Sequence, residues 1–443
     1  MTAPAPTPIR LDALVAERER VLAAFLAREQ DRLARACHDL ARALSRGGTL
    51  LVWGKGAAAS DAAHVVVEFM HPVIVGKRAL PALATGDLGF ARGDDVALAL
   101  VHGPADADAE RFLAGARARG LVTLAFTGAG PPAPADHAFA VDSSDPQIVQ
   151  EVHETAYHVL WELVHTFFEQ PGLLHEACIT CGDVAVEAHV VAVEGGTAVV
   201  EHEGAREEVA VDLLEAVGPG DTVLCHAGVA LERIAEAAPP DPTDFLYPFL
   251  GDQDRDLAAV LADLRASSVR KGQETVALRA AIDLAAVERC AAAVRERLGA
   301  GGRLVAFGNG GSSTDAQDLA FDARAHGWPA LALNDDVATI TAVANDVGFD
   351  KAFARQLIAL GRPTDVALGI STSGSSQNVV AGLEEAHRRG MLTCAITGGH
   401  GGRLAELPWI DHLFVIASED IPRLQEAHAT VYHLLLQAIG ART

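Results

Sequence analysis

The sequence predicts an α/β protein in which two doubly wound parallel sheets flank a small all-β barrel. Each half of the chain alternates short apolar stretches with helical spacing, which is the pattern of a parallel sheet covered by helices. A run of period-two stretches separates the two halves. Four segments of the N-terminal half recur in the same order in the C-terminal half: residues 54–69 match 308–323, 94–100 match 364–370, 119–128 match 389–398, and 145–158 match 421–433. Four matches in one order indicate an internal duplication.

The composition bounds what the chain can do. A length of 443 residues predicts two or three domains, and a hydrophobic fraction of 50% is ample for several cores. No apolar run is long enough to span a bilayer, and the first ten residues lack the apolar core of a signal peptide, so we expect a cytoplasmic protein. The net charge of −24 argues against nucleic acid and anionic membranes as partners.

The predicted domains follow in order along the chain. Helical spacing and the first α/β copy cover residues 11–170, and the period-two stretches cover residues 175–238. Those stretches are four or five short strands, and they are expected to close into a barrel because a single hairpin could not bury its faces. A proline-rich linker at 239–251 leads to the second α/β copy at 252–443.

Two loops rich in glycine and serine follow predicted strands of the C-terminal copy. The first, GNGGSS, spans residues 308–313, and the second, STSGSS, spans residues 371–376. Glycines allow close backbone approach, and free N–H groups at a helix start attract anions. The first loop lacks the Gly-Lys-Ser/Thr of a P-loop and the third glycine of a dinucleotide fingerprint. Because both loops lie where parallel strands end, we expect them to converge on one phosphate.

These loops carry a resemblance to a known family. Together with NDD…ANDVGF (334–349) and RLQEAHATVYH (423–433), they resemble the sugar isomerase (SIS) family, and most closely its phosphoheptose isomerases, from residue 283 to the C-terminus. The resemblance implies a phosphorylated sugar as ligand, ketose–aldose isomerisation through an enediol, and a homo-oligomer. It implies these substrate-binding residues: Asn309, Gly310, Gly311, Ser312, Asp336, Ser371, Thr372, Ser373, Ser376 and Gln425.

The same resemblance implies a zinc site. In that family a His and a Glu on one helix, and a Gln and a His on the last helix, bind zinc, and the Glu and the last His also act as base and acid. The N-terminal copy matches all four positions with His64, Glu68, Gln150 and His158. The C-terminal copy offers a second set, in which the shorter Asp residues leave the base position in doubt: Asp318, Asp322, Gln425 and His433.

The two copies have kept different parts of this chemistry. In the N-terminal copy Ala58 corresponds to Ser312, and residues 101–103 (Val-His-Gly) correspond to the serine triplet at 371–373. A composite site, formed between the copies or across an oligomer interface, and two half-decayed sites are both compatible with this split. A His and a Glu at i, i+4 are also a common solvated helix pair.

The central segment resembles a second family. The phrases CITCGDVAVEAHVV (178–191) and GDTVLCHAGVALERI (220–234) are similar to the hydrogenase-maturation chaperones of the HypC/HupF type. Those chaperones use a cysteine next to the initiator Met to handle the iron fragment of the [NiFe] centre. Here that role would fall to Cys178 or Cys181, which we expect to be exposed at the mouth of the barrel. A zinc site using Cys225-His226 or His175, and inert thiols, are the alternatives.

Three functions therefore compete. The first is an accessory protein of [NiFe]-hydrogenase maturation, whose barrel would dock maturation proteins or the hydrogenase large subunit while the flanking units bind a sugar phosphate. The second is a phosphoheptose isomerase that carries a barrel, and the third is a non-catalytic sugar-phosphate sensor. The barrel motif favours the first, the metal residues the second, and the split site the third. From the sequence alone we favour the first.

Overall fold

The computed structural model describes residues 10–72, 77–169, 174, 186–202, 205–211, 214, 217–226, 229–234 and 257–441. The chain divides into two compact units. One contains both α/β copies, Met1–His165 together with Leu261–Thr443, and the other is Thr166–Val260.

The N-terminal copy is a parallel sheet covered by helices. Its strands are β1 (Leu50–Gly54), β2 (Ala82–Ala84), β3 (Val96–Leu100), β4 (Val122–Thr127) and β5 (His137–Ala140), in the order β2-β1-β3-β4-β5. Its helices are α1 (Leu11–Ser45), α2 (Ala58–Met70), α3 (Ala107–Arg117) and α4 (Pro146–Phe168). The central strand β3 is buried along its whole length, as expected for an apolar run covered on both faces.

The segment between the copies forms a closed five-stranded barrel. Its strands are β6 (Val186–Glu194), β7 (Thr197–His202), β8 (Ala205–Ala210), β9 (Thr222–His226) and β10 (Val229–Ile234), in the order β10-β8-β7-β6-β9. Alternate residues such as Ala188, Val190, Ala198 and Val200 fill the interior, which is the pattern that predicted the barrel. The predicted fold class is therefore confirmed in its central part.

The C-terminal copy repeats the first. Its strands are β11 (Leu304–Gly308), β12 (Ala330–Ala332), β13 (Val366–Ser371), β14 (Leu392–Gly398) and β15 (His412–Ile416), and their order, β12-β11-β13-β14-β15, is that of the first sheet. Its helices are α5 (Leu257–Ala280), α6 (Leu284–Gly299), α7 (Gly311–Ala325), α8 (Val337–Asp346), α9 (Ala352–Leu360), α10 (Gln377–Arg388) and α11 (Ile421–Gly440). The shared order confirms the two doubly wound sheets.

The two copies pack against each other through matching elements. Helix α2 contacts its counterpart α7, and Leu11 and Val15 of α1 belong to the core of the C-terminal copy. The late helices α4 and α11 are buried almost all round, although both carry many polar side chains. Because buried polar groups need partners, these two helices are where the copies must satisfy each other.

Within the part of the chain that the structure describes, no helix combines the length and the apolar character needed to cross a membrane.

Candidate active site

One histidine of each late helix bonds to a glutamate of the other copy. Nδ1 of His158 lies 3.0 Å from Oε1 of Glu426, and Nδ1 of His433 lies 2.9 Å from Oε1 of Glu151. A carboxylate can only accept, so Nδ1 carries the proton in both rings. This exchange fixes both imidazoles and leaves each Nε2 facing away from its glutamate.

Buried cations keep the two glutamates ionised. Burial alone would raise the pKa of Glu426, but the guanidinium of Arg423 and the bond from His158 hold that pKa at about 2. Burial likewise opposes ionisation of Glu151, but Arg18, at 2.8 Å, and Arg279, at 3.2 Å, hold its pKa far below the usual range. The two carboxylates are therefore permanent anions that orient the histidines.

One cluster of polar groups surrounds His64 on α2. Nε2 of His64 lies 3.7 Å from Oε1 of Glu68, one helical turn later, and 3.2 Å from Nε2 of Gln425. The ring centroid of His158 is 5.3 Å from that of His64. The structure thus brings together three predicted residues of the N-terminal copy and one of the C-terminal copy, and all four are almost completely buried.

The late-helix glutamine of this cluster comes from the other copy. Gln150, which the resemblance placed beside His64, instead donates its amide to Oδ1 of Asp61 at 3.0 Å. Gln425 occupies the place beside His64. Helix α11 of the C-terminal copy thus supplies the glutamine beside His64, whereas α4 of the N-terminal copy supplies His158.

The cluster contains polar atoms that the protein does not satisfy. Within the described part of the chain, the following buried atoms have no hydrogen-bond partner: both carboxylate oxygens of Glu68, Nε2 of His158 and Oε1 of Gln425. An unsatisfied buried polar group typically costs about 1–3 kcal/mol. Imidazole nitrogens and carboxylate oxygens are the ligands that zinc takes in proteins, so these residues fit a zinc-type divalent metal ion.

Glu154 belongs to the same cluster, although the sequence analysis did not single it out. It lies on α4 one turn before His158, and one ligand atom from each of His64, Glu154 and His158 lies within 4.8 Å of the others. Both of its oxygens lack a partner among the described residues. Its i, i+4 spacing to His158 is the signal that could have found it.

The pseudo-equivalent cluster of the C-terminal copy is closed by its own contacts. Nε2 of His433 lies 3.4 Å from Oδ2 of Asp318 and 3.7 Å from Oδ2 of Asp322. Tyr432 donates its hydroxyl to Asp318 at 2.8 Å, and Gln147 donates its amide to Asp322 at 2.8 Å. Burial opposes the charge on His433, but Asp318 and Glu151 raise its pKa to about 9. In the structure this cluster is therefore held together by its own ion pairs and hydrogen bonds.

The first phosphate loop reaches the His64 cluster. It connects β11 to α7, with φ of 55° at Gly310. A Cβ placed at Gly311 would lie 2.7 Å from Nε2 of His64 and would overlap the amide of Gln425, so an alanine there would force these side chains to move. The loop backbone of the C-terminal copy therefore lies directly against helix α2 of the N-terminal copy.

The second loop converges with the first. Oγ of Ser371 lies 3.0 Å from Oγ of Ser376 and 3.5 Å from Oγ of Ser373. Asn309 of the first loop and Asn378 of α10 exchange two amide hydrogen bonds of 2.8 Å, which join the loops. Three of the four predicted serines thus share one place.

The remaining predicted residues of this region take other positions. Ser312 is buried in the first turn of α7. Thr372 accepts the N–H of Gly398 through its carbonyl. Asp336 caps α8 by accepting from the N–H of Thr339 at 3.0 Å. Their roles toward a substrate stay predictions.

We expect Ser373→Ala to weaken the binding of a sugar phosphate about ten-fold or more, because a hydrogen bond to a charged group is worth about 1.5–3 kcal/mol. Ser373 is exposed in the loop and can reach a ligand. Titration calorimetry with sedoheptulose 7-phosphate measures the change, with Ser45→Ala on α1 as the control. Equal affinity in wild type and Ser373→Ala would remove this serine from the phosphate site.

The corresponding loop of the N-terminal copy lacks the serines. Ala58 stands in place of Ser312, and a Cβ at Gly56 would make an ordinary contact of 3.4 Å with the ring of Phe321. His102, in the segment that replaces the serine triplet, bonds to the carboxylate of Asp61. The serine hydroxyls of the predicted phosphate loops therefore belong to the C-terminal copy, whose Gly311 lies close to His64.

The predicted maturation cysteines, Cys178 and Cys181, lie outside the described residues, as does His175. Cys225 is a buried part of the barrel core, and burial raises the pKa of its thiol. That environment favours a packing role for Cys225 over the predicted alternative of a zinc ligand.

Comparison with known proteins agrees with this architecture. The profile of the SIS domain matches residues 271–398, and that of the HupF/HypC family matches residues 184–239. A phosphoheptose isomerase of Thermodesulfovibrio yellowstonii is 40% identical over 163 residues, which are 35% of this chain and 80% of the relative. One of Desulfovibrio desulfuricans is 48% identical over 147 residues, 32% of this chain and 69% of the relative.

The chain thus contains SIS domains on both sides of a HupF/HypC domain. Through its SIS region it belongs to the phosphoheptose isomerase family. Among solved structures, the C-terminal domain of glucosamine-fructose-6-phosphate aminotransferase from Francisella tularensis aligns with a TM-score of 0.55, over 96% of this chain and 93% of that one. Its sequence identity is 7%, so this likeness concerns the fold alone.

Proposed function

We propose that the chain is an aldose–ketose isomerase of phosphorylated sugars, of the phosphoheptose isomerase class, with one composite site per chain. The observation that carries this proposal is the contact of Gly311 with His64. It joins the phosphate loops of one copy to the base and metal residues of the other. Neither copy has both parts, since the N-terminal loop lacks the serine hydroxyls and the C-terminal cluster pairs His433 with its own Asp residues.

The serine loops position the substrate by its phosphate. Helix α7 starts at the loop, so its N–H groups and partial positive charge add to the hydroxyls of Ser371, Ser373 and Ser376. A sugar anchored by its phosphate at these loops would extend toward His64 and Glu68, because Gly311 lies close to His64. A phosphorylated sugar is therefore the proposed substrate class.

Glu68 is the proposed base. Isomerisation removes a proton from C1 of the ketose, forms an enediol(ate), and returns a proton to C2, while a proton also moves between the two oxygens. Burial would raise the pKa of Glu68, but His64 and His158 hold it below the usual range, so the carboxylate is ready to accept a proton.

Zinc is the proposed cofactor, held from among His64, Glu68, Gln425 and His158 with Glu154 beside them. A bound divalent ion would stabilise the negative charge that develops on the substrate oxygens. With Nδ1 of His158 committed to Glu426, Nε2 is the single nitrogen left on that ring for either of its two predicted roles, ligand or acid.

The direct test is an assay of the purified full-length chain with sedoheptulose 7-phosphate, with and without added zinc. The proposal expects formation of the aldose phosphate and its loss after chelation. Binding of the sugar phosphate without turnover in any metal form would support the sensor function instead.

A second function is favoured by the match of the HupF/HypC profile to residues 184–239. We propose that the barrel serves [NiFe]-hydrogenase maturation, with maturation proteins or the hydrogenase large subunit as partners. Cys178 or Cys181 would hold the iron fragment in transit, because a thiolate is the metal-binding form of cysteine.

This second proposal predicts selective labelling of the native protein by an alkylating reagent. Cys178 or Cys181 should be modified rapidly, whereas the four described cysteines should be protected because all are buried: Cys37, Cys225, Cys290 and Cys394. Mass spectrometry of the digested protein gives the readout. Protection of both Cys178 and Cys181 would contradict a metal-transfer role.

A further inference from the structure

Glu154 is a buried carboxylate that the proposed chemistry has not used. It is fully buried on α4, and its two oxygens have no hydrogen-bond partner among the described residues. Burying a carboxylate without a partner is strongly unfavourable. A buried carboxyl of this kind stays neutral unless a cation lies next to it, and in either form its oxygens lack the partners that buried polar groups usually have.

The duplication shows that the residue is not needed for packing. In the C-terminal copy the corresponding position of α11 is Ala429, which is equally buried. The neighbouring residues of the two helices do correspond, as Tyr157 with Tyr432 and His158 with His433. A carboxylate occurs in the copy that has His64 and not in the copy whose cluster is closed by its own ion pair.

The surrounding charged groups do not compensate a negative charge on Glu154. The carboxylates of Asp315, Glu426 and Asp61 act on it with the same sign, and Arg279 is the opposing cation named among its main influences. Arg279 lies 3.2 Å from Oε2 of Glu151. Burial and these like charges raise the pKa of Glu154 well above its usual value, so the side chain holds a proton until a cation next to it displaces that proton.

The geometry places such a cation between two histidines. Ligand atoms of His64, Glu154 and His158 lie within 4.8 Å of one another, so one ion could contact all three. Nε2 of His158 has no partner, and its Nδ1 is fixed by Glu426, an arrangement that orients a metal-binding imidazole. Two histidines and one glutamate are a known ligand set of catalytic zinc, with a position left open for substrate.

We propose that Glu154, His64 and His158 bind the divalent metal ion, with zinc as its chemical type. Glu68 is then free of the metal and acts as the base alone, and Gln425 contacts the substrate. This inference rests on the proposed metal-dependent isomerase. It is tested without substrate, so that its failure can be told apart from a failure of the proposed activity.

The test compares Glu154→Gln with Glu68→Gln in the full-length chain. The two changes are chemically identical and lie on either side of His64. Metal content is measured after dialysis against zinc, affinity by competition with a chelator, and the ligand field by the visible absorption of the Co²⁺ form. Loss of a residue that merely orients a ligand lowers metal affinity about 10- to 100-fold. We therefore expect Glu154→Gln to lower the zinc affinity by more than about 100-fold, and Glu68→Gln to lower it by no more than about ten-fold.

Thermal unfolding separates ligation from a structural role. In chelator, Glu154→Gln should melt no lower than wild type, because it replaces a buried carboxyl that has no hydrogen-bond partner among the described residues with an amide of similar shape. The rise in Tm that zinc gives the wild type should be absent in Glu154→Gln and present in Glu68→Gln.

The outcomes distinguish a failure of the ligand assignment from a failure of the proposed activity. Weak metal loss in Glu154→Gln together with strong loss in Glu68→Gln would overturn the assignment, as would a wild type that binds no zinc. Chelator-sensitive isomerase turnover, with strong metal loss in Glu68→Gln alone, would then still leave the proposed function standing. Conversely, the expected metal pattern in a protein without turnover on any sugar phosphate would support the ligand set and refute the activity.

Discussion

Glu68→Gln is expected to lower kcat for sedoheptulose 7-phosphate about 100- to 10,000-fold, the usual contribution of a general base. The amide cannot accept the proton from C1, while its shape and its contact with His64 are preserved. KM should change little, because the phosphate is held by the serine loops of the C-terminal copy. Steady-state kinetics of the two proteins at saturating zinc measure both constants.

Asp322→Asn is the matched control for that experiment, since Asp322 occupies the position of Glu68 in the other copy. Asp322 is tied to Gln147 and lies in the closed ion pair, so its replacement should leave kcat within a few-fold of wild type. Unchanged turnover in Glu68→Gln, with loss in Asp322→Asn, would move the chemistry to Asp322 and His433.

Gly311→Ala is expected to lower turnover and to destabilise the fold. Its Cβ would lie 2.7 Å from Nε2 of His64 and would overlap the amide of Gln425, so the side chains of the cluster would have to move. Overpacking of this kind costs about 1–3 kcal/mol of unfolding free energy. Chemical denaturation and the isomerase assay report the two effects.

Gly299→Ala provides the comparison, because a Cβ at Gly299 has nothing within 4 Å and the residue ends helix α6. Alanine favours a helix, so this variant should be as stable as wild type or slightly more stable, and fully active. A Gly311→Ala protein with normal activity would mean that the first phosphate loop and His64 do not work together.

The architecture was predictable because the repeated segments, the period-two stretches and the continuous apolar runs all indicated the same fold. Four matching segments showed the duplication, and period-two stretches such as residues 187–194 showed the barrel. Continuous apolar runs such as VALAL of β3 identified buried parallel strands. His64 and Glu68 were recognisable because their spacing is a local property of one helix.

The sequence could not show which copy completes each cluster. Gln150 and Gln425 occupy equivalent positions of equivalent helices, and only the packing of α11 beside α2 decides that Gln425 reaches His64. The approach of Phe321 to Gly56 depends on the same contact between copies. Glu154 was missed because a glutamate on a long helix is usually a surface residue, and its burial comes from tertiary structure.

The most direct test of the composite site is a crystal structure of the full-length chain with zinc and sedoheptulose 7-phosphate, recorded at the zinc absorption edge. We expect one anomalous peak per chain between His64 and His158, with the phosphate in the loops that contain Gly311 and Ser371 and the sugar carbons extending between them. A zinc peak between Asp318 and His433, or a phosphate in the N-terminal loop at Gly56, would contradict the composite site.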